Sequence, residues 1–172
     1  LADSSLETLE RTLTFLKKLD CEHISAYALT LGVDSPLYQK GYVFPDDDGV
    51  YEQYRLVCEM LLGYRHYEIS NFVKAGKTPC RHNLKYWNCQ EYLGLGPAAH
   101  SFLNGKRFYY PKDLKGFIKG CEPVSDGLGG GLEEYIMLRL RLKEGLDLTT
   151  LEKLYGKTFS AAALRKIKLL EK

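Results

Sequence analysis

Long hydrophobic runs are missing from this 172-residue sequence. No uninterrupted apolar stretch approaches the roughly 18 residues that a membrane-spanning helix requires. The first ten residues are acidic and amphipathic, and they lack the basic start and the apolar core of a secretory signal. The sequence therefore predicts a cytoplasmic protein without a transmembrane segment.

An excess of charge of one sign is also missing. The 24 Lys and Arg residues nearly balance the 22 Asp and Glu residues, which leaves a formal net charge of +2. Nucleic-acid-binding domains usually carry a strongly basic face. Disordered chains are poor in hydrophobic residues, which here make up 45% of the chain. We therefore expect a globular protein that does not bind nucleic acid.

Closely spaced cysteines are the third absence. The five cysteines are an odd number at wide spacings, which does not fit the disulfide framework of a small secreted protein. No CxxC or CxxxCxxC spacing occurs, although such spacings hold structural zinc ions and iron–sulfur clusters. This chain alone is therefore not expected to bind a cluster. The cysteines are Cys21, Cys58, Cys80, Cys89 and Cys121.

The N-terminal part has the pattern of one helix–strand unit. Leucines at helical spacing predict a helix over 5–19, and the short apolar segment His23–Leu31 is typical of a buried parallel strand. Such a unit belongs to a larger α/β sheet or barrel. We expect most of that sheet to lie upstream of residue 1, so the sequence is interpreted as a fragment.

The middle part has the pattern of an α+β region. The acidic run Asp46–Asp48 predicts the capped start of a second helix rather than a metal site. The alternation in Tyr67–Phe72 predicts a strand. Asn104 and Gly105 between two apolar segments predict a type I′ hairpin turn.

The last part is predicted to be helical. The glycine-rich segment Asp126–Gly131 is typical of a flexible linker, which predicts a boundary near residue 127. Three short helices are predicted after it, over 132–143, 149–155 and 159–171.

Two motifs in the middle part favour structural over chemical interpretations. Gly94–Ala99 matches the G-x-G-x-x-A dinucleotide fingerprint, but the Asn104–Gly105 hairpin leaves no room for the helix that must follow. Close packing of the backbone is the favoured interpretation. A zinc site is not favoured, because its four side chains lack the paired spacing of closed sites. These side chains are Cys80, His82, Cys89 and His100.

The segment Arg81–Trp87 is the densest in polar and aromatic side chains. In a helical turn, His82 and Tyr86 would share one face, with Asn83 and Trp87 beside them. Such a patch suits a flat aromatic ligand with a metal centre. Composition alone favours a core cluster whose polar groups satisfy loop backbone.

Four segments together resemble the radical S-adenosylmethionine (SAM) haem chaperone family, which is similar to oxygen-independent coproporphyrinogen III oxidase. The resemblance implies three regions: the last part of a partial (β/α)6 radical SAM barrel over 1–45, an α+β accessory region over 46–126, and an incomplete winged-helix-like domain over 127–172. The four segments are His23–Tyr27, Tyr67–Phe72, Arg81–Trp87 and Tyr92–Ser101.

The resemblance also implies ligands. The family's HNxxYW motif, associated with haem binding, matches His82, Asn83, Tyr86 and Trp87. His82 would be the iron ligand, with Cys80, Cys89 and His100 as rivals. Positions that line the SAM adenosine pocket in relatives match Tyr27, Ala28, Ala99 and His100. Upstream sequence would supply the [4Fe-4S] cluster and further SAM contacts.

Three functions follow from these observations. The first is a fragment of a haem chaperone that delivers haem to an acceptor protein. The second is coproporphyrinogen III oxidase, against which the HNxxYW match argues, and the third is a non-catalytic interaction module. The chain alone is expected to be inactive in SAM cleavage. An exposed apolar surface around Ile24–Leu31 is expected to cause self-association, as a dimer.

Overall fold

The structure, a computed structural model, describes residues 4–170. The chain is a mixture of helices and strands, as predicted, and the pairings within both of its sheets are antiparallel. The chain forms two compact units that divide between Arg81 and His82. The three regions predicted above rest on the family resemblance, and their boundaries stay a prediction.

The first unit combines helices with a three-stranded antiparallel sheet of order β1-β3-β2. Its elements are α1 (Leu6–Lys18), β1 (His23–Ser25), α2 (Pro36–Gln39), α3 (Asp47–Met60), β2 (Tyr64–Glu68) and β3 (Asn71–Lys74).

Both predicted helices of this unit are confirmed, and each begins at a capping side chain. The Ser5 hydroxyl accepts a hydrogen bond from the backbone N–H of Thr8, which starts α1. The Asp46 carboxylate accepts one from the backbone N–H of Gly49 at 2.8 Å, which starts α3. The acidic run is therefore a cap, as predicted.

The core of the first unit lies between α1, α3 and the sheet. Its centre is Phe72, whose side chain is 1% exposed, and Leu61 from the end of α3 is equally buried. The remaining buried members are Leu13, Ile24 and Val57. Apolar side chains from both helices thus cover one face of the sheet.

The prediction of a parallel strand over His23–Leu31 is wrong in two respects. Strand β1 covers only His23–Ser25, and it pairs antiparallel with β3. Beyond Ala26, whose N–H donates to the Ser70 carbonyl at 2.8 Å, residues 27–30 are exposed and belong to no strand. Among the described residues, no strand lies beside them to complete the ladder.

The prediction of one strand over Tyr67–Phe72 is also wrong, because the chain turns within it. Strand β2 ends at Glu68 and β3 begins at Asn71. The Glu68 carboxylate accepts from the backbone N–H of Ser70 at 2.8 Å and from the Asn71 amide. Polar side chains therefore stabilise a tight turn where alternation alone indicated a continuous strand.

The imidazole of His23 makes stability of the first unit depend on pH. Burial lowers the pKa of His23, and Nε2 shares a 2.9 Å hydrogen bond with the Tyr67 hydroxyl. Above about pH 6.5 the imidazole is neutral in both folded and unfolded chains. Between that pH and the lowered pKa only the unfolded chain binds the proton, so stability falls as pH falls.

We therefore expect His23→Gln to lose this part of the pH dependence. Urea unfolding of both proteins at pH 7.5 and at pH 5.5 measures it. The drop in the free energy of unfolding between the two values should be smaller for the variant. An equal drop in both proteins would contradict the prediction.

The second unit contains a second antiparallel sheet, of order β4-β5-β6, and five helices of the described residues. Its first helix begins at the division between the units. Its elements are α4 (Arg81–Trp87), β4 (His100–Leu103), β5 (Lys106–Tyr109), α5 (Leu114–Ile118), β6 (Val124–Leu128), α6 (Leu132–Arg139), α7 (Leu148–Tyr155) and α8 (Ala161–Leu170).

The hairpin is confirmed, whereas the predicted linker is wrong. Asn104 and Gly105 join β4 to β5, and both have positive φ, as a type I′ turn requires. Residues of the predicted linker form β6, which pairs with β5. Gly129 and Gly130 follow it and lie against the Phe102 ring, where a Cβ would come within 2.9 Å. These glycines permit close packing rather than flexibility.

The three C-terminal helices are confirmed, with α6 shorter than predicted and α8 beginning at Ala161; the predicted end of the last helix at residue 171 lies outside the described residues. It ends at Arg139, and Leu142 continues into the core after a turn. Tyr135 and Leu151 are the other buried apolar residues of these helices. No helix among residues 4–170 is long and apolar enough to cross a membrane.

Candidate functional site

The predicted pairing of His82 with Tyr86 is present on α4. The Tyr86 hydroxyl lies 3.1 Å from Nε2 of His82, and the two rings are nearly perpendicular with centroids 5.0 Å apart. His82 is exposed and Tyr86 is half-buried. Burial raises the pKa of the Tyr86 phenol, so the hydroxyl keeps its proton at neutral pH.

Two arginines, one at the end of α6 and one just after it, contact the other end of α4. The Arg141 guanidinium lies over the Trp87 ring, 4.4 Å from its centroid. The Arg139 guanidinium donates to the Asn88 side-chain oxygen at 2.5 Å. A seven-residue helix is unstable alone, so these tertiary contacts stabilise it.

A cavity of about 310 Å³ lies beside Tyr86 and Trp87. The Tyr92 ring packs against Tyr86 with centroids 4.6 Å apart. Arg107 donates to the Tyr92 hydroxyl at 3.3 Å and forms an ion pair with Glu134. The site thus presents an exposed imidazole next to an aromatic cavity, whose wall includes a half-buried arginine paired with a carboxylate.

Asn83 follows His82 on α4, and its side chain is half-buried. Its predicted roles, fixing the turn or binding the other imidazole nitrogen, stay predictions.

The three rival iron ligands differ in their surroundings. Burial raises the pKa of the Cys89 thiol, which disfavours the thiolate that binds iron. The His100 ring is exposed and stacks on Tyr109, with centroids 5.0 Å apart. Cys80 is half-buried at the end of the first unit. Of these candidates, only His82 is an exposed imidazole on the motif helix.

Tyr27 and Ala28, predicted to contact SAM adenosine, line a cavity of about 370 Å³ in the first unit. Asn71, fully buried, donates to the Tyr27 hydroxyl at 3.1 Å and accepts from the Ser25 hydroxyl at 2.5 Å. Aromatic and apolar side chains form most of the wall of this cavity, which fits a flat heterocycle.

Ala99 and His100, the other predicted SAM contacts, lie in the second unit. The chain is tight there: a Cβ on Gly94 would lie 2.2 Å from the His100 carbonyl oxygen. This confirms the close-packing interpretation of the glycine motif. The Gly94 N–H donates to the Ser101 hydroxyl at 3.0 Å. A pocket shared by Tyr27, Ala28, Ala99 and His100 stays a prediction.

The described residues do not contain a cluster of three or more His, Cys, Asp or Glu side chains that could hold a metal ion. Their cysteines are all free thiols. The residues of this chain therefore do not fit a [4Fe-4S] cluster, which requires several thiolates together.

Sequence reasoning missed the charged residues that surround the motif. Arg107 lies on β5, Glu134 on α6, and Arg139 and Arg141 come some fifty residues after the motif. Local spacing does not indicate such contacts, because each depends on how distant elements pack. The stacking of Arg141 on Trp87 has no signal in either segment.

Comparison with known proteins identifies relatives over most of the chain. A family model described as "HemN C-terminal domain" matches residues 131–172. A protein named "Heme chaperone HemW" from Mycobacterium tuberculosis (strain ATCC 25618 / H37Rv) is 31% identical, over 84% of this chain and 40% of the relative. The HemW of Bacillus subtilis (strain 168) is 32% identical, and the aligned region covers 92% of this chain and 45% of that relative. The HemW of Escherichia coli (strain K12) is 33% identical, and the aligned region covers 70% of this chain and 33% of that relative.

One solved structure resembles the chain over nearly its whole length. It is described as "Coproporphyrinogen III oxidase (HemN) from Escherichia coli is a Radical SAM enzyme", with a TM-score of 0.70. The similarity covers 99% of this chain and 45% of that one, at 16% identity, and so concerns the fold alone. The chain spans less than half the length of these relatives. With relatives of this name aligned over most of its sequence, the chain is HemW-like.

Proposed function

We propose that this chain binds haem as part of a HemW-type chaperone and passes it to an acceptor protein. The observation that carries the proposal is the exposed His82 imidazole on α4, beside the aromatic cavity of Tyr86 and Trp87. The similarity to proteins named heme chaperone supports it.

The chemistry of the site suits ferric haem. Imidazole is a common axial donor to haem iron. The Tyr86 and Trp87 rings offer apolar surface for the macrocycle, and each such contact contributes on the order of 1 kcal/mol or more. His82 would thus bind the iron while the aromatic rings shield part of the porphyrin.

The exposure of His82 suits transfer as well as binding. A haem bound at the surface leaves its second face open to a ligand from another protein. Such a ligand can bind the iron before His82 lets go, so that haem is not released into water. A deeply buried ligand would hinder this exchange.

The proposal extends to the longer relatives. In them, further sequence would supply the [4Fe-4S] cluster and complete SAM binding at Tyr27, Ala28, Ala99 and His100. Residues 1–45 would be the last part of a partial (β/α)6 barrel, residues 46–126 an α+β accessory region, and residues 127–172 the beginning of a winged-helix-like domain. The segment Ile24–Leu31, in which residues 27–30 are exposed whereas Ile24 is buried in the core, would mediate self-association as a dimer. Bound SAM would supply the radical chemistry, and this chain would contribute wall residues.

The ligand assignment predicts a large effect of His82→Ala on haem binding. Loss of the iron–imidazole bond should weaken haemin affinity at least about tenfold and shift the Soret band. Haemin titration followed at the Soret band measures both quantities. His100→Ala removes the other exposed imidazole of this unit and should leave both unchanged.

The two cysteine rivals complete the test. Cys80→Ala and Cys89→Ala should bind haemin as the wild-type chain does. If His82→Ala keeps the band and the affinity while one of the other three variants loses them, the assignment of His82 is wrong. If none of the four variants differs from the wild type, the α4 motif does not bind the iron.

A further inference from the structure

The hydrogen bond on His82 involves the nitrogen that an iron ion would need. Nε2 is the outer nitrogen of the ring, whereas Nδ1 lies next to Cβ and close to the helix backbone. A macrocycle of haem size can approach Nε2 more easily than Nδ1. The Tyr86 hydroxyl lies 3.1 Å from Nε2.

We propose that Tyr86 competes with haem iron for Nε2 of His82 and thereby sets the affinity of the site for haem. The inference rests on the proposed function. It assigns to Tyr86 the role of weakening haem binding by His82, although both residues belong to the same motif. In the tautomer of neutral imidazole with its proton on Nδ1, Nε2 has one lone pair in the ring plane. That lone pair accepts the Tyr86 O–H or binds the iron, but not both.

The residues around Tyr86 hold its hydroxyl close to His82. Its phenol is half-buried and burial raises its pKa, so the hydroxyl keeps the proton that it can donate to Nε2. Its ring packs edge-on against Tyr92, which receives a hydrogen bond from Arg107. Arg107 is held in turn by its ion pair with Glu134. The hydroxyl therefore stays within reach of Nε2 when the iron is absent.

This arrangement has a consequence for cargo release. Haem binding must break the Tyr86–His82 hydrogen bond, and haem departure restores it. The restored bond offsets part of the free energy of losing the iron ligand. A carrier that must give up haem gains from such a competitor, whereas a protein that stores haem does not.

The test is haemin titration of Tyr86→Phe, which keeps the ring and removes only the hydroxyl. We expect affinity to rise about twofold to fivefold, which corresponds to about 0.4 to 1 kcal/mol for one exposed hydrogen bond. The Soret position should match that of the wild type. Tyr110→Phe is the matched control, because it also removes one hydroxyl, from a ring that packs on Phe117, and its haemin affinity should equal that of the wild type.

A measurement without haem tests the hydrogen bond itself. Nitrogen-15 shifts of the neutral His82 ring should show the proton on Nδ1 in the wild type, with Nε2 accepting from Tyr86. Tyr86→Phe should move the tautomer populations toward Nε2–H. A wild-type ring that carries its proton on Nε2 would overturn the inference.

The outcomes separate the inference from the proposed function. Binding that depends on His82 but is equal or weaker in Tyr86→Phe overturns the inference alone. Weaker binding with a changed Soret band would indicate that Tyr86 itself contacts the iron. Failure of the wild-type chain to bind haemin overturns the proposed function, and the inference with it.

Discussion

Phe72→Ala is expected to lower the free energy of unfolding of the first unit by about 3 to 5 kcal/mol. The Phe72 ring is 1% exposed at the centre of the core between α1, α3 and the sheet. The His66 ring stacks on it with centroids 4.2 Å apart. Truncation would remove these contacts and leave a cavity that strand β3, hydrogen-bonded on both sides, cannot fill by moving.

The matched control is Phe15→Ala, in α1 of the same unit. The Phe15 side chain is 59% exposed, so the same truncation removes little buried surface. We expect a change within about 0.5 kcal/mol. Urea unfolding followed by circular dichroism measures both variants. Similar losses in the two would show that Phe72 is not the centre of this core.

Gly94→Ala is expected to destabilise the second unit by about 2 to 3 kcal/mol. The added Cβ would lie 2.2 Å from the His100 carbonyl oxygen and 3.0 Å from the Ala99 Cβ. Relief requires a backbone shift, since no side-chain rotation moves a carbonyl. The shift would also strain the hydrogen bond from the Gly94 N–H to the Ser101 hydroxyl.

Gly131→Ala is the control for this change. Gly131 has negative φ at the start of α6, and nothing lies within 4 Å of an added Cβ. Its effect should stay below about 1 kcal/mol. Thermal unfolding of the two variants gives the comparison. A Gly94→Ala protein as stable as the wild type would mean that the Tyr92–Ser101 segment packs more loosely than the structure shows.

Local signals in the sequence predicted the elements whose hydrogen bonds are local. Helix α3 begins where Asp46 caps it, and Asn104–Gly105 forms its hairpin turn, because cap and turn geometry depend on a few adjacent residues. The pairing of His82 with Tyr86 follows from helical spacing in the same way.

Sheet pairing was not predictable by this reasoning. The Asp126–Gly131 segment looks flexible by composition, yet its first residues pair with β5 and its glycines lie under Phe102. The Tyr67–Phe72 segment alternates as a strand does, yet the buried Glu68 carboxylate turns the chain. In the first case the deciding contacts join segments distant in the sequence. In the second they are local, but alternation of side chains does not distinguish a carboxylate that stabilises a turn from a strand residue.

The contacts of two arginines with Trp87 and Asn88 affect how such motifs should be recognised in other sequences. Arg139 and Arg141 hold these two residues from about fifty positions away. A related sequence could keep every residue of the HNxxYW motif but lose both arginines. It would then no longer form the helix that brings the motif side chains together. Classification by the motif alone would then assign haem binding to proteins that lack it. The motif together with the two distant arginines would distinguish sequences that form the helix from those that do not.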